Sequence, residues 1–185
     1  MNFQETKIPG CYIFQANIIK DDRGIFVKTF NESLFKASGI TVDWKEEYFS
    51  VSKRGVLRGM HFQIPPKEHS KFVFPIAGRV FDVLVDLRVG SPTFKEACHF
   101  ELSADEGRGL LIAPGIAHGF CSLEDNSLLL YNVTSEYSPS EDSGVLWKSI
   151  PVDWPYVDER LISNRDKNFK TLENFESPFK YQGEL

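Results

Sequence analysis

Between residues 45 and 135 the chain is written as short apolar runs broken by turn signals, and this rhythm constrains its fold more than any other feature. Lys71-Phe72-Val73-Phe74-Pro75-Ile76, residues 79–87 and Leu128-Leu129-Leu130-Tyr131-Asn132-Val133 are rich in β-branched and aromatic side chains, which suit a pleated surface. Ala77-Gly78, Val89-Gly90-Ser91-Pro92, Ala113-Pro114-Gly115 and Glu124-Asp125-Asn126-Ser127 separate such runs with residues that favour turns. Many short strands and few helical stretches predict an all-β sandwich or barrel. Within residues 79–87, Asp82 and Asp86 alternate with Phe81, Val83, Val85 and Leu87. A period of two predicts carboxylates on one face and apolar side chains on the other, with the polar face meeting solvent or a lined cavity.

Helical signals are confined to the ends. Residues 31–39 read as a short helix with Asn31 as cap and Gly39 as terminator. Residues 158–179 mix charge and aromatics and predict a C-terminal flap with one helical turn. No internal repeat, low-complexity tract or linker stands out, so residues 1–185 are expected to form a single domain, long enough to bury a core.

Several function classes are disfavoured. The net charge of −5 and the lack of a Lys/Arg cluster argue against a nucleic-acid polymer as partner. No apolar run approaches the roughly 18 to 20 residues that span a bilayer, so no membrane segment is expected. Residues 1–10 carry no basic stretch followed by an apolar run, hence no secretory signal is expected. Cys11, Cys98 and Cys121 form no CxxC pair, which points to a reduced, cytoplasmic setting without disulfides or zinc. Gly-x-Ser-x-Gly, P-loop and Gly-x-Gly-x-x-Gly motifs are absent from the sequence.

The chemistry centres on residues 55–66, where Arg58 and His61 stand three apart with Gly59 between them. A guanidinium beside an imidazole suggests an anionic ligand whose carbon acid is deprotonated. His118, Lys71, Asp82, Asp86 and Tyr131 also sit in apolar strand-like context, and buried charges are rarely kept without a partner or ligand. Each has a plainer reading alone: a core histidine satisfied by backbone, a solvated edge lysine, a core tyrosine with its hydroxyl at the rim. A metal site would need three or four ligands, commonly starting from a His-x-His pair, but Gln63 occupies the matching position after His61. No metal or other cofactor is therefore expected. Metal-free carbon-acid chemistry needs a base, an enolate stabiliser and an acid. His61, Lys71 and Tyr131 can fill these roles, with Asp166 orienting the imidazole.

Asp22-Arg23-Gly24-Ile25-Phe26, residues 55–63, Lys71, Gly78-Arg79-Val80-Phe81-Asp82-Val83, Pro114-Gly115-Ile116-Ala117-His118-Gly119-Phe120, Tyr131 with Tyr137, Asp153-Trp154-Pro155 and Ser163-Asn164-Arg165-Asp166 occur in one order along the chain. In these blocks the sequence resembles the dTDP-4-dehydrorhamnose 3,5-epimerase family of the cupin superfamily. The resemblance implies a cupin jelly-roll β-barrel with short peripheral helices, assembled as a homodimer and working without cofactor. It implies epimerisation at C3 and C5, beside the C4 ketone of a nucleotide-diphosphate-linked 4-keto-6-deoxyhexose, in deoxysugar biosynthesis. It makes His61 the base with Asp166 as partner, Lys71 the stabiliser of the enolate and Tyr131 the acid on the opposite face. It places Arg23 and Arg58 at the diphosphate, and Phe26, Lys28, Glu46, Tyr48, Gln63, His118, Tyr137 and Arg165 around the substrate.

Two departures bear on the substrate. Glu46-Glu47-Tyr48 stands where the family usually has Gln-x-Asn, and Lys28 where it usually has glutamate. A carboxylate accepts where an amide can donate, so a CDP-linked sugar is the alternative to a dTDP-sugar. Epimerisation at one carbon only is a second alternative. A non-catalytic sugar-nucleotide binding protein and a metal-dependent cupin are the rivals from other classes.

Overall fold

A computed structural model of the chain describes residues 1–183. In chain order the elements are β1 (Asn2–Glu5), β2 (Tyr12–Gln15), β3 (Ile18–Asp21), β4 (Gly24–Val27), α1 (Glu32–Ala37), β5 (Glu46–Ser52), β6 (Leu57–Gln63), β7 (Lys71–Ala77) and β8 (Arg79–Asp86). There follow β9 (Ala97–Ser103), β10 (Arg108–Ile112), β11 (Ile116–Ser122), β12 (Ser127–Val133), β13 (Asp142–Gly144) and α2 (Asn164–Lys167). One sheet has the strand order β1-β2-β10-β7-β12-β5, a second β13-β6-β11-β8-β9, and β3 with β4 forms a separate hairpin. Successive strands such as β5 and β6, β7 and β8, or β11 and β12 lie in opposite sheets. The chain thus crosses repeatedly between two antiparallel layers, as in a jelly roll.

Apolar side chains cover three surfaces. Val73 and Leu129 of the first sheet meet Leu84 and Phe120 of the second in the space between the layers. On the outer side of the second sheet, Met60, Phe62, Val83 and Val85 pack against Val145, Ile150, Leu172 and Phe179 from the C-terminal third. On the outer side of the first, Phe14, Phe72 and Phe74 pack against Phe35 of α1. The α1 cap is the expected one: the Asn31 side chain accepts the Leu34 N–H at 3.1 Å, and Gly39 follows with a φ of +77°.

Residues 79–87 correct the two-faced reading of that strand. Val80 and Leu84 share the face of Asp82 and Asp86 and enter the core between the sheets, while Phe81, Val83, Val85 and Leu87 enter the outer cluster. Neither face meets solvent, because the C-terminal segments cover the side that an isolated sandwich would expose. The buried carboxylates instead find protein partners, although Asp82 Oδ1 has none of its own. Asp82 Oδ2 lies 2.9 Å from His118 Nε2, and Asp86 accepts from Arg88, Ser91 and Thr93.

Candidate active site

The bulge in β6 decides where the site lies. His61 pairs with His118 and Arg58 with Phe120, so a step of three residues on β6 faces a step of two on β11. In a regular strand, residues three apart point to opposite faces. The extra residue returns both Arg58 and His61 to the interior. Gly59 makes this possible: its φ is +146°, and a Cβ there would lie 2.5 Å from Gly119 Cα. Only two glycines allow the backbones to meet so closely.

Arg58 and His61 open onto a cavity of about 760 Å³, lined also by β5, β7, β11, β12 and the segment around α2. His61 Nε2 lies 2.9 Å from Asp166 Oδ1, and Asp166 Oδ2 accepts the Gly59 N–H at 3.2 Å. Ser163 caps α2 by accepting the Asp166 N–H at 3.1 Å, which fixes that carboxylate against the bulge. Arg165 Nη2 also lies 2.9 Å from His61 Nε2, and its guanidinium ion-pairs with Asp142 of β13. Lys71 Nζ donates to the His61 carbonyl at 3.1 Å. Tyr131 stacks on Tyr48 with ring centroids 4.7 Å apart, and its hydroxyl is 3.5 Å from Ser50 Oγ.

The electrostatics assign protonation states. Burial pulls His61 below the usual histidine value, with Asp166 opposing and Arg165 and Lys71 adding to the fall, so the ring is neutral at neutral pH. Burial would raise Asp166, but its bonds to His61 and to the Gly59 N–H outweigh it and hold the group at about 2. Burial lowers Lys71 to about 8, against the pull of Asp142 and Asp82. Burial drives the Tyr131 phenol far up, which keeps its proton in place. A neutral imidazole backed by a carboxylate, a buried ammonium and a protonated phenol therefore line one cavity.

Of the residues expected at the substrate, Glu46, Tyr48, Arg58, Gln63, His118, Tyr137 and Arg165 all line this cavity. Several of them are already engaged, His118 with Asp82 and Arg165 with Asp142. Glu46 accepts the Tyr137 N–H at 2.7 Å, and Gln63 accepts from Ser138 N at 2.6 Å while its amide donates to the Lys67 carbonyl at 2.9 Å. Arg23, Phe26 and Lys28 are not brought to the cavity of their own chain. They lie on or beside the β3–β4 hairpin, where Arg23 pairs with Asp21 at 2.6 Å and its side chain is 90% exposed. Among the described residues, no group of three or more His, Cys, Asp or Glu is placed to hold a metal ion.

The sequence profile of the dTDP-4-dehydrorhamnose 3,5-epimerase family matches residues 5–174. The chain belongs to this family. It is 42% identical over 171 residues to a dTDP-4-dehydrorhamnose 3,5-epimerase of Shigella flexneri, covering 91% of this chain and 94% of the relative. A dTDP-6-deoxy-D-glucose-3,5-epimerase from Legionella pneumophila, solved in complex with dTDP-4-keto-L-rhamnose, superposes with a TM-score of 0.91 at 33% identity and covers 98% of both chains. A 3′-monoepimerase from Streptomyces bikiniensis in complex with dTDP-quinovose superposes with a TM-score of 0.84 at 31% identity, covering 91% of this chain and 86% of that one. The cupin-type jelly roll expected from the sequence is thus the fold of the dTDP-4-dehydrorhamnose 3,5-epimerase family.

Among the residues of this site that sequence reading did not single out are Asp142 and His69. Asp142 sits in the polar stretch 138–144, which reads as a loop, and reaches Arg165 only through the pairing of β13 with β6. His69 lines the cavity beside Lys71, and burial together with that ammonium lowers it to about 3. Only the fold supplies either signal.

Proposed function

We propose that the protein catalyses the 3,5-epimerisation of a dTDP-linked 4-keto-6-deoxyhexose in the dTDP-rhamnose route, with His61 as base and Tyr131 as acid. The observation that carries this reading is the convergence of the His61–Asp166 pair, the Lys71 ammonium and the Tyr131 hydroxyl on one cavity in a member of this family. The C4 ketone acidifies the C–H bonds at C3 and C5. His61 Nδ1, the ring nitrogen turned from Asp166, removes one of these protons. The Lys71 ammonium donates to the oxygen that becomes negative at C4, which favours the enolate over the ketone. Tyr131 then delivers its proton to the opposite face of the carbon, inverting it. Once His61 has released its proton and Tyr131 has regained one by exchange with water, a second round at the other carbon completes the reaction.

Arg58 is the cation for the diphosphate; its Nε donates to Ser52 Oγ at 3.1 Å, leaving further N–H groups for the ligand. Thymine is the base favoured by the relatives. The carboxylates that suggested cytosine have protein donors: Glu46 the Tyr137 N–H, and Glu47 the Asn132 amide at 2.6 Å. Three free cysteines agree with action in a reducing, cytoplasmic compartment. The working unit is a homodimer, in which a hairpin carrying Arg23 and Phe26 reaches the partner's cavity. Among the described residues, no helix is long and apolar enough to cross a membrane.

Incubation with dTDP-4-keto-6-deoxyglucose in D₂O tests the reading. Deuterium at both C3 and C5 with inverted product is expected. Label at C3 alone would convert the assignment to a mono-epimerase, and no label at either carbon would leave only a binding protein. Calorimetry with dTDP and CDP tests the nucleotide, and tighter CDP binding would reinstate the cytosine alternative.

A further inference from the structure

Two groups compete for one nitrogen of the base. Arg165 Nη2 and Asp166 Oδ1 each lie 2.9 Å from His61 Nε2. A neutral imidazole nitrogen carries either a proton or a lone pair, so Nε2 donates to the carboxylate or accepts from the guanidinium, but not both. The two choices have opposite chemical consequences. When Arg165 donates to Nε2, the ring proton sits on Nδ1 and no lone pair is left for the substrate. When Nε2–H donates to Asp166, Nδ1 carries an open lone pair and is a base.

The surroundings leave Arg165 able to change partners. It lines the same cavity as Arg58, and its side chain is 47% exposed. Its other contacts are the Asp142 carboxylate of β13, Asp166 Oδ1 at 3.3 Å and the face of Phe169 at 5.7 Å. The groups facing His61 are Arg165 and Asp166 from α2, Lys71 from β7 and its cross-strand partner His118 from β11, with Asp142 held behind Arg165. Of these, only Arg165 is a half-exposed cation that a ligand anion can draw away.

We propose that Arg165 is a substrate-operated positioning residue: a ligand diphosphate competes for its guanidinium, hands His61 Nε2 wholly to Asp166, and so turns Nδ1 into the base. Proton abstraction is thereby tied to the presence of the anion, and a keto sugar without a diphosphate is not deprotonated. The inference rests on the epimerase reading for the identity of the ligand, and on the two contacts at Nε2 for the competition.

Nitrogen-15 NMR of histidine-labelled protein reads the tautomer directly, with His61 assigned by loss of its signals in His61→Gln. Without added nucleotide the wild type is expected to show the Nδ1–H form, and saturating dTDP to convert it to the Nε2–H form. Arg165→Met is expected to show the Nε2–H form with or without dTDP. Its kcat/KM profile should have an acid limb at higher pH, because loss of a nearby cation raises the basicity of His61. Arg165→Met loses ligand affinity on any account, so the tautomer and the acid limb, not KM, are the deciding readouts.

An Nε2–H ring in the wild type without nucleotide, or an Nδ1–H ring retained in Arg165→Met, overturns the competition. An unchanged tautomer in wild type shown by calorimetry to have bound dTDP overturns the trigger. Failure of dTDP and of inorganic pyrophosphate to bind would sink the epimerase reading and the trigger with it. The wild type against Arg165→Met comparison then still decides the competition.

Discussion

For the proposed reaction, His61 and Lys71 are expected to set the two limbs of the pH profile. His61 must be neutral to act and lies below the usual histidine value, so kcat/KM should fall only as pH drops below the ordinary histidine range. Lys71 must be charged and loses its proton at about 8, so the alkaline limb should fall near there. The resulting bell reports apparent values of the coupled group. Lys71→Met is expected to remove the alkaline limb and to slow turnover by roughly 10²- to 10³-fold, the size typical of losing one donor to an oxyanion. The same substitution has a stability signature. Because the folded value of Lys71 lies below the unfolded one of 10.5, the unfolded chain binds more protons between about 8 and 10.5, and wild-type stability should rise through that window. In urea unfolding, Lys71→Met should lack this rise.

Tyr131→Phe separates the two halves of the reaction. With His61 intact, the substrate should take up deuterium from D₂O while keeping its configuration, since the proton returns from the face it left. Inverted product from that variant would show that another group is the acid. Such candidates could be singled out in the sequence because the proposed roles depend on residue type, and few other histidines, lysines and tyrosines stood in apolar runs. The double claim on His61 Nε2 was not, since it depends on how α2 places Arg165 and Asp166 against β6 to within an ångström.

At the scale of elements, the departures from ideal strand geometry carry the function. Arg58 and His61 stand three apart in the sequence, a spacing that a flat strand cannot turn to one side. The bulge at Gly59 resolves this, and it makes a sharp prediction. Gly59→Ala places a Cβ 2.5 Å from backbone at a φ of +146°, whereas Gly90→Ala adds one at a φ of +89° with nothing within 4 Å. Gly90→Ala should cost about 1–2 kcal/mol for the backbone conformation alone. Gly59→Ala should cost about 3 kcal/mol or more and lower kcat as well, because β6 and β11 must part. Equal costs in urea unfolding would show that the close approach is incidental. Pattern reading placed β7, β8 and β12 because those runs are strongly apolar and bounded by turn signals. It missed β1 to β4, which have four residues each and mixed polarity, too short for a period of two to show. The facing of residues 79–87 was misjudged for a different reason: the segments that bury its outer face lie more than fifty residues downstream, from Val145 onward.

At the scale of the whole molecule, the surface is unfinished for a monomer. β5 ends its sheet with an unpaired edge, and its outward face shows Phe49 at 65% and Val51 at 48% exposure, with Ile76 of β7 also uncovered. Ile19, Ile25 and Phe26 are exposed on the β3–β4 hairpin. Open strand edges and apolar patches of this kind call for a partner, and the proposed homodimer would supply one. In the proposed homodimer, Arg23, Phe26 and Lys28, which miss the cavity of their own chain, would serve the other one. Sedimentation should therefore give a dimer for the wild type and a monomer for Phe49→Asp. Subunit mixing tests the exchange itself. His61→Asn and Arg23→Ala should each be impaired alone, the first in turnover and the second in nucleotide affinity. In a mixed dimer, one cavity combines an intact His61 with an intact Arg23 from its neighbour, so random mixing should restore about a quarter of the wild-type sites. If each hairpin serves its own chain, every site in the mixture keeps one defect and no activity returns.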